Sequence, residues 1–263
     1  MIANQKGKTE RFVEMDVLNA YSNVRAHRKI GCLVRDHSEN KEDIREIAKK
    51  ALGWRSVHRI LNLGCGYGWF EEALDSRFDI VVGIDLCDEN RETFLRTADN
   101  ISAECLFVRL ELPSPIDMPS GSFDLIVSTY SLYFFSGIVS EVKRLLAPEG
   151  TFLCITHSER MLEGAEELCQ LGRLRRLIER FSAENGETCL KNYFRSVDHI
   201  DYLNSLVFER RDREDLRDYV LFKKDAIASD VDSDRFEERL LQELGRKGIL
   251  RLNKNDRIFI ARQ

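Results

Sequence analysis

Short apolar runs alternate along this chain with stretches in which apolar residues recur every three or four positions. Val57, Ile60, Leu61 and Leu63 form one run, and Asp79 to Leu86 (D-I-V-V-G-I-D-L) forms another. Both have the near-continuous apolar character of strands buried on two faces of a parallel sheet. Glu104 to Leu112, Ile200 to Phe208 and Arg257 to Ala261 read as further strands. Between them, Ile44, Ile47, Ala48, Ala51 and Leu52 keep helical spacing and stop at Gly53. Helices are also expected over Arg11 to Ile30, Asp88 to Asn100, Gly137 to Leu146, Arg213 to Phe222 and Asp234 to Leu244. A long one is expected over Glu159 to Ala183, with Met161, Leu162, Ala165, Leu168, Leu171 and Leu174 as its apolar positions. Strands alternating with helices predict an α/β fold whose parallel strands are joined by right-handed crossovers.

The first run ends in three alternate glycines, I-L-N-L-G-C-G-Y-G-W-F from Ile60 to Phe70. Gly64, Gly66 and Gly68 lack Cβ, so the main chain there tolerates unusual φ and can press against a ligand. Phe70, Ala73 and Leu74 then suggest a helix whose first amides point back at the loop. Asp85 closes the second run, 21 residues after Gly64, where a carboxylate is placed to accept both hydroxyls of a ribose. Dinucleotide binders use G-x-G-x-x-G. Here the third glycine falls one position early and the bulky Trp69 follows, which disfavours a pyrophosphate against the backbone.

With these residues the chain resembles the class I S-adenosylmethionine (SAM) dependent methyltransferases, whose first motif is a hydrophobic strand followed by G-x-G-x-G. Asn62 stands where many members carry an acidic residue. Ser122 to Ser128 (S-F-D-L-I-V-S) is similar to the family's fourth strand, and Leu145 to Phe152 (L-L-A-P-E-G-T-F) to the turn leading into its fifth. The resemblance covers residues 57–157. It implies a three-layer sandwich: a seven-stranded, mostly parallel sheet with helices on both faces, its last strand antiparallel between strands five and six. It also implies one domain divided into N-terminal helices forming a lid (1–53), a SAM-binding core (57–157), a helical insertion over the substrate (158–195) and the C-terminal part of the sheet (196–263).

Composition bounds the partners. The 263 residues hold 40 basic and 45 acidic side chains, a net charge of −5, so no global field favours nucleic acid. Arg173, Arg175, Arg176 and Arg180 read as a solvated helix face. Seven scattered cysteines without a C-x-x-C pair point to reduced thiols rather than disulfides or a metal site. No apolar run is long enough to span a membrane, and the expected location is cytoplasmic.

The resemblance also implies residue roles. Gly64, Cys65, Gly66, Tyr67 and Gly68 would form the loop against the methionyl part of SAM, Asp85 would hold the ribose and Leu86 would lie beside the adenine. Glu111, with Leu112, is the candidate for the adenine amino group, and Ser128 for the wall of the cofactor site. Tyr130, Tyr133 and Phe134 follow where an acceptor approaches, as substrate contacts or as core. His157 is the candidate base or a structural cap on strand five. Tyr21 and Arg25 are candidates for the SAM carboxylate. The expected reaction is methyl transfer to a small molecule, leaving S-adenosylhomocysteine. Methylation of tRNA or protein, and SAM binding without catalysis, stay open as alternatives.

Overall fold

The computed structural model describes residues 20–75, 77–165, 168, 171–227 and 233–263. Its elements, in chain order, are α1 (Val24–His37), α2 (Ile44–Lys50), β1 (Arg59–Leu63), β2 (Phe78–Asp85), α3 (Arg91–Asp99), β3 (Ser102–Arg109), β4 (Phe123–Thr129), α4 (Val139–Leu145) and β5 (Leu146–His157), followed by α5 (Gly172–Ile178), α6 (Gly186–Lys191), β6 (Ser196–Tyr202), β7 (Ser205–Glu209), α7 (Arg213–Ile227), α8 (Ser233–Lys247), β8 (Ile249–Asn253) and β9 (Asp256–Arg262). The chain divides into two compact units. One comprises 42–161, 177–204 and 254–263; the other comprises 1–41, 162–176 and 205–253.

The first unit is built on a seven-stranded sheet of order β3-β2-β1-β4-β5-β9-β6. Strands β1 to β5 pair in parallel, and β9 lies antiparallel between β5 and β6. Its central strands β1, β4 and β5 are largely apolar because successive side chains enter different cores. Leu61, Leu63, Ile126, Phe152, Cys154, Phe259 and Ala261 join Val139, Val142 and Leu145 of α4. Their sequence neighbours Ile60, Leu125, Val127, Leu153, Ile155, Ile258 and Ile260 join Ile44 and Ala48 of α2 and Phe94 and Ala98 of α3. Helices on both faces make this the three-layer α/β architecture anticipated from sequence, antiparallel strand included.

Several local expectations are corrected. No α-helix follows the glycine loop; a turn over residues 66–70 leads into one 3₁₀ turn at Glu71–Ala73. The carbonyls a helix would use are taken instead by α2, since Arg45 donates to Trp69 O (2.8 Å) and Lys49 to Ala73 O (2.5 Å). The stretch 159–183 is not one helix: turns run from Glu159 to Gly164, and among its described residues only Gly172–Ile178 is α-helical. Leu162 and Gly164 adopt positive φ, and Leu162 N donates to Asn253 O while Asn253 N donates to Glu163 O. The expected sixth strand, Ile200 to Phe208, is two strands. β6 ends at Tyr202, and β7 belongs to a separate antiparallel pair with β8. Strand three stops at Arg109, before Glu111 and Leu112. The helix over Arg11 to Ile30 is described only from residue 20 onward.

Residues 205–253 leave the large sheet and build the second unit, in which α1 lies against α7 and β7 and α7 lies against α8. Polar pairs tie that unit together: His37 Nε2 lies 3.0 Å from Asp215, Lys29 pairs with Asp218, and Arg251 pairs with Glu39. In it, Tyr21 packs edge-on against His27 and Phe222. Arg176 and Arg180 are exposed as expected, whereas Arg173 and Arg175 are half-buried. The six described cysteines are free, and Cys169 lies outside the described residues. No helix among the described residues is long and apolar enough to cross a membrane.

Gly83, in the middle of β2, shows how tightly the first unit is packed. A Cβ there would stand 2.4 Å from Phe94 Cζ and 2.7 Å from Cys65 Sγ. Gly83→Ala is expected to overpack this core and lower stability by about 1–3 kcal/mol, read as a reduced urea midpoint with an unchanged m-value.

Candidate functional site

The carboxyl ends of β1, β2, β4 and β5 lie side by side in the sheet, and Gly64 to Gly68, Asp85, Ser128, Tyr130 and His157 stand at or just beyond them. Gly64, Gly66 and Gly68 all take positive φ, at +68°, +52° and +88°. The first two amides of the loop, Gly64 N and Cys65 N, donate to Ile84 O of β2. A Cβ on Gly64 would lie 2.5 Å from Ser131 Cβ, so only glycine admits Ser131 here. Ser131 Oγ in turn donates to Leu63 O (2.8 Å) and lies 2.8 Å from Ser128 Oγ. Ser128 is fully buried. It acts on the loop through Ser131, a residue the sequence reading missed although the S-x-x-S spacing was visible.

Asp85 closes the other side of the loop. Its Oδ2 accepts from Gly66 N and its Oδ1 from Cys87 N, both at 2.8 Å. Burial raises its pKa above the ordinary carboxylate value, against the opposing pull of those amides. Leu86 is half-buried beside it. Cys65 and Tyr67 are buried under the loop, and burial holds the Cys65 thiol protonated. Leu112 packs on the core, whereas Glu111 is exposed beyond the end of β3.

Asn62 occupies the end of β1 with no exposed surface and donates to Glu71 Oε1 at 2.8 Å. Glu71 is equally buried, and its Oε2 and Asn62 Oδ1 have no hydrogen-bond partner. Burial pushes the Glu71 carboxyl up to about 7, against the pull of Asn62. The acidic group absent from position 62 thus stands nine residues later, beneath the same loop.

Beyond β4 and β5 the aromatic candidates converge on His157. Tyr130, itself at φ +56°, stacks on the His157 ring at 4.6 Å; Tyr133 stacks on it at 5.8 Å, and Trp69 lies 5.6 Å from Tyr130. Phe134 packs on Tyr133 at 4.7 Å. Asp43 caps α2 and pairs with Arg45, whose guanidinium sits 4.7 Å over the Trp69 ring and fixes that side chain. His157 is buried, with Nδ1 2.7 Å from Asp256 Oδ1. The other oxygen, Oδ2, accepts from Lys254 Nζ (2.5 Å) and from the Tyr130 hydroxyl (2.8 Å). Burial opposes the charge on Asp256, but Lys254 and His157 prevail and keep its carboxyl below the usual range. Burial and the Asp256 charge raise the Tyr130 phenol well above its ordinary value. Lys254 and Asp256 were not singled out from sequence; the N-K-N-D run before the closing strand was the available signal.

Tyr21 and Arg25 belong to the other unit. That unit also brings His37, Asp212 and Asp215 within 4.8 Å of one another. His37 Nδ1 lies 3.1 Å from Val207 O there, and Nε2 lies 3.0 Å from Asp215 Oδ2.

Residues 61–154 match the family described as a methyltransferase domain. No curated protein matches the chain. Among solved structures, a Bacillus halodurans C-125 protein assigned as a methyltransferase superposes with a TM-score of 0.58 at 13% identity, covering 83% of this chain and 97% of its own. The YcgJ protein of Bacillus subtilis gives 0.56 at 20% identity, covering 90% and 99%. Phosphoethanolamine N-methyltransferase 2 of Haemonchus contortus, solved with phosphomonomethylethanolamine and S-adenosylhomocysteine, gives 0.50 at 19%, covering 84% and 52%. At these identities the structural likeness speaks to the fold.

Glu71 offers a test in the protein without ligand. Its folded pKa of about 7 lies above the ordinary 4.5, so its stabilising neutral form is fully present below about pH 4.5 and is lost as pH rises through 7. The shift corresponds to something on the order of 3 kcal/mol. Glu71→Gln is expected to gain stability relative to the parent between pH 5 and pH 8, by about 1–3 kcal/mol in urea unfolding. A pH-independent difference would mean that Glu71 does not titrate in the fold.

Proposed function

We propose that this class I, Rossmann-like SAM-dependent methyltransferase transfers its methyl group to a small-molecule acceptor by in-line displacement. The residues present fit the cofactor: three glycines of the loop take positive φ, and the Asp85 carboxylate at the end of β2 is anchored to the same loop through Gly66 N. Gly64 to Gly68, with Cys65 and Tyr67 bracing the loop, would hold the methionyl part. Asp85 would hold the ribose hydroxyls with the second lone pair of each oxygen, Leu86 and Leu112 would border the adenine, and Glu111 would stand at its rim. SAM supplies a methyl group already activated by its sulfonium. The protein's remaining work is alignment and exclusion of water, and alignment alone can contribute on the order of 7–11 kcal/mol.

The observation that carries the small-molecule reading is the aromatic cluster of Trp69, Tyr130, Tyr133 and Phe134 around buried His157, beside the glycine loop. Such compact apolar walls with a few convergent polar groups suit a small ligand. The net charge of −5 offers a polyanion no long-range attraction. The Haemonchus contortus neighbour, with its small phosphorylated amine bound, is consistent with this size class. His157 is the proposed base.

Calorimetry is expected to show S-adenosylhomocysteine binding one to one, and Asp85→Ala to weaken it by about 1.5–3 kcal/mol as charged hydrogen bonds to the ribose are lost. Undiminished affinity would remove Asp85 from the site. Methyl-labelled SAM offered to metabolite pools, bulk tRNA and protein extract is expected to label the metabolites; label confined to the macromolecules overturns the reading. With an acceptor in hand, His157→Ala should lower turnover, with recovery at high pH.

A further inference from the structure

The base of the glycine loop holds a titratable group that alignment of a methyl group does not call for. Asn62, near the end of β1, and Glu71, in the turn that follows the loop, are joined across it by Asn62 Nδ2 donating to Glu71 Oε1 at 2.8 Å. Neither residue has exposed surface. The other two side-chain oxygens, Glu71 Oε2 and Asn62 Oδ1, have no hydrogen-bond partner. Both are acceptors, so one can satisfy the other only if the carboxyl carries a proton. An ionised Glu71 leaves two buried acceptors unpaired, whereas a neutral one can return a bond to the amide from which it already accepts.

The ionisable groups packed around the pair do little to hold a negative charge there. Within the same turn, Glu72 pushes the Glu71 carboxyl further up. The loop contributes the buried Tyr67 phenol and the Cys65 thiol, which burial keeps protonated, and Asp85 on its far side is engaged by Gly66 N and Cys87 N. From α2, Arg45 is taken up by Asp43 and Trp69 O, and Lys49 by Glu46 and Ala73 O. From α3, which packs on the turn, Arg96 and Glu92 are exposed and paired with each other.

We propose that Glu71 makes this site sense the charge of the methyl donor: neutral in the free protein, it releases its proton to solvent when SAM binds and keeps it when S-adenosylhomocysteine binds. The proposal rests on the reading above in which Gly64 to Gly68 hold the methionyl part of the cofactor. SAM carries on that part a sulfonium that its product lacks, so the two ligands differ there by one positive charge. A cation brought against the loop that Asn62 and Glu71 close at its base favours the ionised carboxyl, and little water intervenes to screen the attraction. By reciprocity the proton opposes SAM by the factor with which SAM opposes the proton. Burial places the free carboxyl at about 7, so affinity for SAM falls as pH drops through that value, while affinity for the product stays level. After methyl transfer the ionised carboxyl lies buried without a counter-charge until it regains a proton from solvent, which favours exchange of product for fresh donor.

Calorimetry tests this in two steps. Native protein titrated with each ligand near pH 6.5, in two buffers of different ionisation enthalpy, gives the number of protons exchanged. SAM is expected to release a fraction of a proton and S-adenosylhomocysteine none; equal exchange with both ligands, or uptake with SAM, overturns the inference without recourse to a variant. The affinity for SAM relative to S-adenosylhomocysteine is then expected to rise by about three- to tenfold from pH 6 to pH 8, as for a pKa lowered by about one unit. In Glu71→Gln, which carries a permanent neutral donor at the same place, both the proton release and the rise are expected to vanish. A rise that persists in this variant assigns the proton to another group and overturns the inference. Binding of both ligands by native protein with a flat ratio overturns it and leaves the cofactor reading intact, whereas binding of neither overturns both.

Discussion

A carboxylate buried at the start of β9 organises the edge of the sheet at which β5 ends. Asp256 lies in the sheet between β5 and β6, paired in register with His157 on one side and Tyr202 on the other. An ionised carboxylate in such a place is costly unless charged and hydrogen-bonding partners surround it. Lys254, His157 and the Tyr130 hydroxyl meet that need together, drawing β9, β5 and the residue after β4 to one point. Tyr130 holds a positive φ that a bulky side chain rarely adopts, and its two stacked or tilted neighbours and its bond to Asp256 keep it there. Loss of Lys254 would take from Asp256 its ammonium counter-charge, so the two are expected to persist together.

The glycine loop depends on a different compromise. Gly64 lets Ser131 close on β1, and the Ser128–Ser131–Leu63 chain of bonds then ties the ends of β1 and β4 together. Asp85 joins the loop to β2 through Gly66. Beneath it, Asn62 and Glu71 share one hydrogen bond and leave two acceptors unpaired, an arrangement that favours the protonated acid. The cofactor edge is therefore held by backbone amides and short hydroxyl side chains, groups with little conformational freedom to lose when a ligand binds.

The sequence by itself determined the layered α/β fold, the glycine loop and the carboxylate at the end of β2, because each is encoded over a few adjacent residues. Strands covered on both faces must be apolar at every position, and a backbone pressed close to its neighbours must be glycine. The antiparallel strand was legible through the family resemblance, and its bounds were right to within one residue. Tertiary structure decided the rest. The 159–183 stretch has helical periodicity, but Leu162 and Glu163 exchange backbone bonds with Asn253, and the run from Ile200 to Phe208 breaks at Leu203 because its second half finds β8 as partner. Lys254 and Asp256 follow His157 by about a hundred residues, and Glu71 meets Asn62 only because the loop folds back beneath its own strand. Such encounters depend on strand order and register, which join groups far apart in sequence and leave no local pattern to read.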